Sequence, residues 1–399
     1  MFFSKKIQKV SSSKTSIIAD LVSKLKKEDK KIISMAAGEL DLVPHIDIRT
    51  KAVRVINNGN TKYAPVSGLS ELKKAICKKL TLDNNLNYST DEVIVSNGGK
   101  QVIFNALIST INEGDEVIII SPYWVSYPEM VKLCGGIPKI LKTSRKENYQ
   151  INHRKLSKLI SKKTKWLILN SPNNPTGTVY SPKNLKEIAN VLSKNPRVWV
   201  LSDDIYEKLN FSRESSKNIL NINKKLKKRA LLVNGLSKAY SMTGWRLGYG
   251  AGPKKLIESM LKVQSHSTSA ANTIAQFAGI VALELPNTNF SKLKMLLENR
   301  RNIMLKEIKQ INGLITNEPQ GAFYVFPSIK LFIGKKLLDG TVIENDVIFC
   351  KELLNREGVA AIPGSSFGEK NSIRISYALN KENIKLACKK IRNFCDSIR

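Results

Sequence analysis

The sequence of residues 231–250 reads Leu231-Leu-Val-Asn-Gly-Leu-Ser-Lys238-Ala-Tyr-Ser-Met-Thr-Gly-Trp-Arg246-Leu-Gly-Tyr-Gly250. Its apolar start has the composition of a buried strand, and Lys238 follows directly after it. A strand end inside an α/β core partly desolvates an ammonium group, which lowers its pKa and makes the amine nucleophilic toward carbonyls. Lys238 is therefore our candidate for forming a Schiff base.

Arg246 stands eight positions after this lysine and carries a permanently charged fork that suits a phosphate group. Gly244, just before it, allows the chain to turn sharply. The chain contains 65 Lys and Arg residues, so either basic residue alone is better explained as an ordinary surface residue.

Two further segments place polar residues after apolar strands. Residues 171–177, rich in proline and containing Asn174, follow an apolar run at 166–169, and Asp203 and Tyr206 follow another run at 198–201. Alternating helices and strands predict a mainly parallel sheet with right-handed crossovers. Ligands bind at the carboxyl ends of such strands, where these residues and Lys238 are expected to meet.

In order and spacing, these motifs resemble the fold type I pyridoxal-phosphate aminotransferases, specifically class I enzymes of the bacterial aspartate aminotransferase group. The resemblance runs from roughly Lys5 to the C-terminus. It implies an α/β fold: a large domain with a mainly parallel seven-stranded sheet flanked by helices, and a smaller α+β domain. The implied division is an N-terminal arm and part of the small domain at 1–45, the large domain at 46–286 and the C-terminal small domain at 287–399.

The resemblance also implies pyridoxal 5′-phosphate as the cofactor. Lys238 would form the Schiff base and carry the proton from the substrate Cα. Asp203 would pair with the pyridine nitrogen, and Tyr206 would form a hydrogen bond with the ring oxygen. The residues assigned to the cofactor are Lys238, Gly99, Lys100, Trp124, Asn174, Asp203, Tyr206, Arg246 and, from the other subunit of a homodimer with shared active sites, Tyr63. Two glycines at a helix start also favour a phosphate on physical grounds, because they expose N–H groups at the positive end of the helix dipole.

The residues that the resemblance assigns to the substrate are Gly38, Trp124, Asn174, Arg374, Lys100 and Thr15. Thr15 and Lys100 match positions associated with acidic substrates, which favours L-aspartate and 2-oxoglutarate as the reactants and oxaloacetate and L-glutamate as the products. Relatives that also accept prephenate tend to carry a basic residue where this chain has Ser11, which disfavours that second activity. Leu40 and Leu42 depart from the family pattern, which usually has proline and phenylalanine there.

Several alternatives stay open. Aromatic or other amino acids could be the substrate, since few substitutions change the side-chain pocket and a fold does not settle function. A lyase or decarboxylase could use the same cofactor residues. Arg374 alone could be a surface arginine at a strand edge. An aminotransferase-like transcription regulator is disfavoured, because the resemblance begins near residue 5 and leaves no room for an N-terminal DNA-binding domain.

Composition limits the other function classes. The net charge of +32 is spread through the chain as lysine, without the interleaved aromatics of a nucleic-acid site, so no nucleic-acid partner is expected. No apolar run approaches the roughly 18 residues of a membrane span, so no membrane partner is expected. Five cysteines without a CxxC pair and three scattered histidines predict a reducing cytoplasm and no metal site. The basic segment 1–19 looks like a transit peptide, but we interpret it as a mature arm because the resemblance begins inside it.

Overall fold

The structure, a computed structural model, describes residues 2–12, 14–28, 31–212 and 217–399, without the side chains of residues 14–16 and 26. Its strands are β1 Ile33–Ser34, β2 Val93–Ser96, β3 Glu116–Ser121, β4 Ile137–Lys142, β5 Thr164–Asn170, β6 Trp199–Asp203, β7 Ala230–Gly235, β8 Gly248–Ala251, β9 Tyr324–Val325, β10 Val359–Ala360, β11 Ile362–Pro363 and β12 Ile373–Ser376. Its α-helices are α1 Lys5–Gln8, α2 Lys14–Lys27, α3 Ile46–Asn57, α4 Ser70–Asn84, α5 Gly99–Thr110, α6 Ser126–Leu133, α7 His153–Leu159, α8 Pro182–Ser193, α9 Ile219–Ile222, α10 Lys254–Ser265, α11 Thr273–Leu283, α12 Asn287–Ile308, α13 Asp346–Glu357 and α14 Lys381–Asp396.

The main sheet has seven strands in the order β2-β8-β7-β6-β5-β3-β4. Strand β8 runs antiparallel to both of its neighbours, β2 and β7, and the remaining pairs are parallel. The predicted mainly parallel seven-stranded sheet is therefore confirmed.

The sheet is buried on both faces, which explains why its strands are almost continuously apolar. Successive side chains of a strand point to opposite faces, and on β3 Ile118 packs in one hydrophobic cluster while Ile119 packs in another. Strands β3 and β7 have no exposed residue. Parallel sheets of this kind are stable when helices cover both faces.

A second unit lies around an antiparallel sheet of order β11-β12-β9, with β1 and β10 paired in parallel beside it. Its own core includes Phe349 from α13 and Phe394 from α14, whose rings meet edge to face at 5.1 Å. The division of the chain at residues 45 and 286 stays a prediction.

The carboxyl ends of the parallel strands place the polar residues of the site. Strand β5 ends four residues before Asn174, and β7 ends three residues before Lys238. Asp203, expected just beyond a strand, is instead the last residue of β6. In the part of the chain that the structure describes, no helix is both long enough and apolar enough to span a membrane.

Candidate active site

A cavity of about 870 Å³ lies between the carboxyl edge of the main sheet and the second unit. Ten of the predicted site residues line it. They are Gly38, Gly99, Lys100, Trp124, Asn174, Asp203, Tyr206, Lys238, Arg246 and Arg374. Residues separated by hundreds of positions in the chain therefore meet at one place, as the strand-end argument predicts.

Of the other two predicted residues, only Tyr63 has a described side chain. The Tyr63 side chain is 96% exposed, in the loop between α3 and α4, and makes no part of the cavity lining. Thr15 lies within α2, but its side chain is outside the described residues. The cavity of the single chain is therefore built without the Tyr63 side chain.

The Lys238 amine points into the cavity. Its Nζ donates a hydrogen bond to the carbonyl oxygen of Gly38 at 2.5 Å. Burial, together with the positive charges of Arg374 and Arg246, lowers the pKa of Lys238 to about 8, and the carboxylates of Glu39 and Asp203 oppose the change. A substantial fraction of this amine is therefore unprotonated, and able to act as a nucleophile or base, slightly above neutral pH.

Asp203 supplies a buried carboxyl group at the floor of the cavity. Its Oδ2 accepts a hydrogen bond from the hydroxyl of Tyr127 at 2.5 Å, and its Oδ1 accepts one from the N–H of Ile205 at 3.3 Å. Burial raises the pKa of Asp203 to about 6, and these two hydrogen bonds oppose that rise. The group is thus held in one orientation and is still mostly ionised at neutral pH.

Arg374 is fully enclosed, so the alternative of a surface arginine at a strand edge is wrong. Its Nη1 donates to Asn174 Oδ1 at 3.0 Å and its Nη2 donates to the carbonyl of Ala36 at 2.6 Å. Its Nε is buried with no hydrogen-bond partner among the described residues. A buried guanidinium with an unused donor is suited to an anion that enters the cavity.

Tyr206 and Tyr324 form a pair of buried phenols beside Lys238. Their hydroxyl oxygens lie 3.1 Å apart, and the Lys238 Nζ lies 5.8 Å from the centre of the Tyr206 ring. The Arg374 guanidinium carbon lies 4.4 Å from the centre of the Tyr324 ring. The two phenols therefore form a continuous line of contacts from Arg374, through Tyr324, to the Tyr206 ring beside Lys238.

The opposite end of the cavity is formed mostly by backbone. Helix α5 begins at Gly99, so its first N–H groups face the site at the positive end of the helix dipole. Gly98 has φ +84°, and a Cβ there would lie 2.6 Å from Arg246 Nη2. Arg246 itself is exposed, with φ +56°, and its Nη1 donates to the Thr243 carbonyl at 2.9 Å.

Lys100 and Trp124 lie on one side of the cavity. The Lys100 Nζ lies 5.0 Å from the centre of the Trp124 ring, within cation–π range. Burial lowers the pKa of Lys100, and the nearby Arg246 adds to that effect. The Trp124 ring meets the Tyr127 ring edge to face at 5.3 Å. The indole therefore packs against the same tyrosine whose hydroxyl donates to Asp203.

The loop that carries Gly38 is anchored at two points. The Asp41 carboxylate receives two hydrogen bonds from Arg300 on α12, at 2.7 and 3.0 Å. The neighbouring Glu39 accepts a hydrogen bond from Thr243 Oγ1 at 2.9 Å. The loop has leucines at positions 40 and 42, where the family usually has proline and phenylalanine. Polar contacts of Glu39 and Asp41 hold it on either side of Leu40.

Sequence reasoning missed two tyrosines of the site. The bond from Tyr127 to Asp203 was not predicted, and nothing distinguishes Tyr324 within its apolar strand. The contact between Tyr206 and Tyr324 spans 118 positions, so no local pattern predicts it. Among the described residues, no group of three or more His, Cys, Asp and Glu side chains could hold a metal ion.

The comparisons with known proteins agree with this geometry. The profile of the family described as aminotransferase class I and II matches residues 30–391. A probable aspartate/prephenate aminotransferase from Rhizobium leguminosarum bv. phaseoli is 44% identical, over 100% of both chains. An aspartate/prephenate aminotransferase from Cereibacter sphaeroides is 41% identical, over 99% of this chain and 98% of the relative.

Solved structures show the same architecture. The crystal structure of an aspartate aminotransferase from Rhizobium meliloti has a TM-score of 0.95 and 37% sequence identity, and the similarity covers 100% of both chains. An aspartate aminotransferase from Thermus thermophilus, solved with maleate, has a TM-score of 0.91 and 34% identity, with 99% of this chain and 100% of the other covered. The similarity therefore includes both units of the fold and the cavity between them.

Proposed function

The chain belongs to the aminotransferase class I and II family, and we propose that it transfers the amino group of L-aspartate to 2-oxoglutarate with pyridoxal 5′-phosphate as its cofactor. The products are oxaloacetate and L-glutamate. One observation carries the proposal: the Lys238 amine, the Asp203 carboxylate and the Arg374 guanidinium, predicted as separate motifs, line the same cavity.

The residues present fit the proposed cofactor. At the exposed end, Gly98 has no Cβ and so leaves room for the Arg246 side chain beside the start of α5. A phosphate there would meet the N–H donors of the helix and the positive charge of the arginine. Lys100 adds a second positive charge at this end. We assign the phosphate to Gly99, Lys100 and Arg246.

At the buried end, Asp203 is the only proposed partner for the pyridine nitrogen, and its charge would keep that nitrogen protonated. Asn174 and Tyr206 would hydrogen-bond the ring oxygen, and Trp124 would cover the ring face. When bound, the cofactor supplies the electron sink that stabilises negative charge at the substrate Cα. Protein groups supply orientation and charge complementarity around it.

Lys238 is the proposed acid and base. Its pKa of about 8 lets Nζ accept a proton from the substrate Cα and return it within the same cavity near neutral pH. In the chain without cofactor, Nζ donates to the Gly38 carbonyl at 2.5 Å, which holds the free amine at a defined position in the cavity.

For the substrate, Arg374 is the proposed binding group of the α-carboxylate, because its buried Nε is free to donate. Asn174, Trp124 and Gly38 would complete that site. Thr15 of α2 is a proposed partner of the distal carboxylate, and so is Lys100, as an alternative to its place at the phosphate. This is the basis for choosing aspartate among the possible amino acids.

We further propose a homodimer in which Tyr63 of the partner subunit reaches the cofactor phosphate. The support is an apolar face on α3, where Ile46, Val53 and Ile56 recur at helical spacing and are all exposed in the single chain. Light scattering should give a mass near 89 kDa, twice the 44.6 kDa chain. The reducing cytoplasm remains the proposed compartment, and the five free cysteines are in keeping with it.

The deciding experiment is a half-reaction. The purified protein with bound cofactor is mixed with L-aspartate in the absence of any oxo acid, and its visible spectrum is followed. We expect the cofactor absorbance to change and one equivalent of oxaloacetate to appear. Conversion by a different amino acid alone would refute the aspartate assignment, and release of carbon dioxide in place of oxaloacetate would indicate a decarboxylase.

Lys238→Ala should abolish this half-reaction, whereas Lys255→Ala, which removes an exposed lysine at the start of α10, should leave it unchanged. A turnover of the Lys238 variant close to that of the wild type would contradict the role given to this amine.

Prephenate is a second candidate substrate, because the relatives from Rhizobium leguminosarum and Cereibacter sphaeroides carry it in their names. The prediction from Ser11 opposes it. Ser11 is exposed, and its N–H donates to Glu129 Oε2 at 2.9 Å. We expect weak activity with prephenate in the wild type and an increase in Ser11→Lys but not in the neighbouring control Ser12→Lys. Wild-type rates with prephenate equal to those with 2-oxoglutarate would refute the Ser11 argument.

A further inference from the structure

We propose that Tyr324 is a positioning residue that donates its hydroxyl hydrogen to Tyr206, so that the hydrogen of Tyr206 is directed into the cavity and responds to the charge state around Arg374. The inference rests on the proposed function, in which Tyr206 hydrogen-bonds the cofactor ring oxygen and Arg374 binds the substrate carboxylate. It assigns a role to a side chain that lies between those two groups.

The geometry joins three side chains in sequence. The Arg374 guanidinium covers the Tyr324 ring at 4.4 Å, and the Tyr324 hydroxyl lies 3.1 Å from that of Tyr206. All three are buried, and the Tyr206 and Tyr324 rings also meet edge to face at 6.0 Å. Because rotamers of packed aromatic rings are fixed by their neighbours, the hydroxyl contact is held in place.

Counting hydrogens sets the direction of the bond. Each phenol has one hydrogen to donate, and one hydrogen bond joins the two oxygens. If Tyr206 donated to Tyr324, it would have no hydrogen for a ligand in the cavity. If Tyr324 donates, Tyr206 accepts and keeps its own hydrogen for the ligand.

The surrounding charges favour the second arrangement. Burial raises the pKa of both phenols, and the positive charge of Arg374 opposes the rise in both. The pKa of Tyr206 is raised further than that of Tyr324, because the neighbouring Tyr324 and then the negative charge of Asp203 add to the effect of burial. The more acidic phenol is the better donor, so Tyr324 donates and Tyr206 accepts.

This direction of donation links the arginine proposed to bind the substrate with the tyrosine proposed to bind the cofactor oxygen. A carboxylate bound to Arg374 would offset its positive charge, make the Tyr324 hydroxyl less acidic and weaken its donation. Tyr206 would then be a weaker donor in turn, because hydrogen bonds in a chain strengthen one another by roughly 10–30%. Occupancy of the substrate site would thereby reach the cofactor oxygen without direct contact.

The test uses the protein with bound cofactor and measures the pH midpoint of the visible absorbance change, rather than turnover. Tyr324→Phe removes the hydroxyl and keeps the ring. A Tyr206 hydrogen bond to the ring oxygen stabilises the deprotonated state of the bound cofactor, so weakening that bond should raise the midpoint by about 0.3 pH units. KM for aspartate should change less than kcat, because Arg374 is untouched.

The matched control is Tyr377→Phe. Tyr377 is another buried tyrosine of the second unit, and its hydroxyl donates to the Ala322 carbonyl at 3.2 Å, away from Tyr206. This variant loses the same atom from a similar environment. A general loosening of the core would therefore move the midpoint of both variants, whereas the proposed role moves only that of Tyr324→Phe.

A double-mutant cycle with Tyr206→Phe decides whether Tyr324 acts through Tyr206. In the Tyr206→Phe background, adding Tyr324→Phe should leave the midpoint where it is. An equal shift in both backgrounds, or no shift in the wild-type background, would overturn the inference while leaving the proposed function intact. A wild-type protein that binds no cofactor would overturn both.

Discussion

The two arginines of the cavity differ in how the protein holds them. Arg374 is buried on β12 and fixed by the side chain of Asn174 and the carbonyl of Ala36. Arg246 is exposed on a turn with a positive φ, and its fixed contacts are the backbone carbonyls of Thr243 and, at 3.4 Å, Asn97. One of the two proposed anion sites is thus preorganised by buried side chains and the other by backbone geometry.

This difference indicates where each site is sensitive. The buried arginine has already lost its water shell, so removing it leaves Asn174 and a substrate carboxylate without their partner in a low-dielectric cavity. The exposed arginine keeps part of its hydration, and α5 supplies N–H donors beside it. We therefore expect changes at the Arg374 end to be severe and specific to substrate, and changes at the Arg246 end to be moderate and specific to cofactor.

The largest effect should come from Arg374→Leu. Loss of one partner of a buried charge pair costs roughly 4 kcal/mol, which corresponds to a decrease of about 1,000-fold in kcat/KM for aspartate. Steady-state kinetics at saturating cofactor would measure it. The dissociation constant of the cofactor should stay within about threefold of the wild type; a parallel loss of cofactor affinity would remove the distinction between the two ends.

A smaller effect is expected for Arg246→Ala. Loss of a hydrogen bond to a charged group costs about 2 kcal/mol, which predicts a cofactor dissociation constant raised roughly 30-fold. Equilibrium dialysis of the cofactor would measure it. With cofactor in excess, KM for aspartate should be nearly unchanged, and a large increase there would mean that Arg246 also serves the substrate.

The pH dependence of cofactor binding should separate the amine from both arginines. Lys238 has its pKa lowered to about 8, so the amine is protonated and unreactive below that pH and free above it. The association rate of cofactor with cofactor-free protein should rise roughly fivefold between pH 7 and pH 8, and level off above pH 9. Stopped-flow absorbance would follow it, and a rate independent of pH would contradict the lowered pKa.

The smallest effect tests the backbone argument with two glycines. Gly98 and Gly114 have φ of +84° and +85°, but a Cβ at Gly98 would meet Arg246, whereas a Cβ at Gly114 has no atom within 4 Å. Both alanine variants should lose about 1 kcal/mol of unfolding free energy from the strained φ.

Only Gly98→Ala should also weaken cofactor binding, by about threefold, because a Cβ 2.6 Å from Arg246 Nη2 forces the guanidinium to shift. Urea unfolding and cofactor dialysis of the two variants provide the comparison. Equal cofactor affinity in both would show that the space left by Gly98 does not matter to the site.

The sequence predicted the main sheet because its evidence is local. Apolar runs such as the one before Lys238 indicate strands that are buried on both faces of the sheet. Their alternation with helical segments indicates that neighbouring strands pair in parallel. The positions of Asn174 and Lys238 beyond strand ends followed from the same rule. The family resemblance added Arg374 and Lys100, whose local patterns are also compatible with surface residues.

What the sequence could not provide are contacts between distant side chains. The Arg374 bond to Asn174 spans 200 positions, and the Tyr127 bond to Asp203 spans 76. Such contacts depend on how the two units pack, which no periodicity encodes.

The ion pair between Asp41 and Arg300 has a consequence for how this chain can change over time. It fixes the loop of Gly38 to α12 through one carboxylate, while the leucines at 40 and 42 contribute only apolar packing in the same core. Mutational drift at the two leucines is therefore tolerable as long as volume is kept. Substitution of either Asp41 or Arg300 would leave the other charge without its partner, so we expect the two residues to be retained or replaced together.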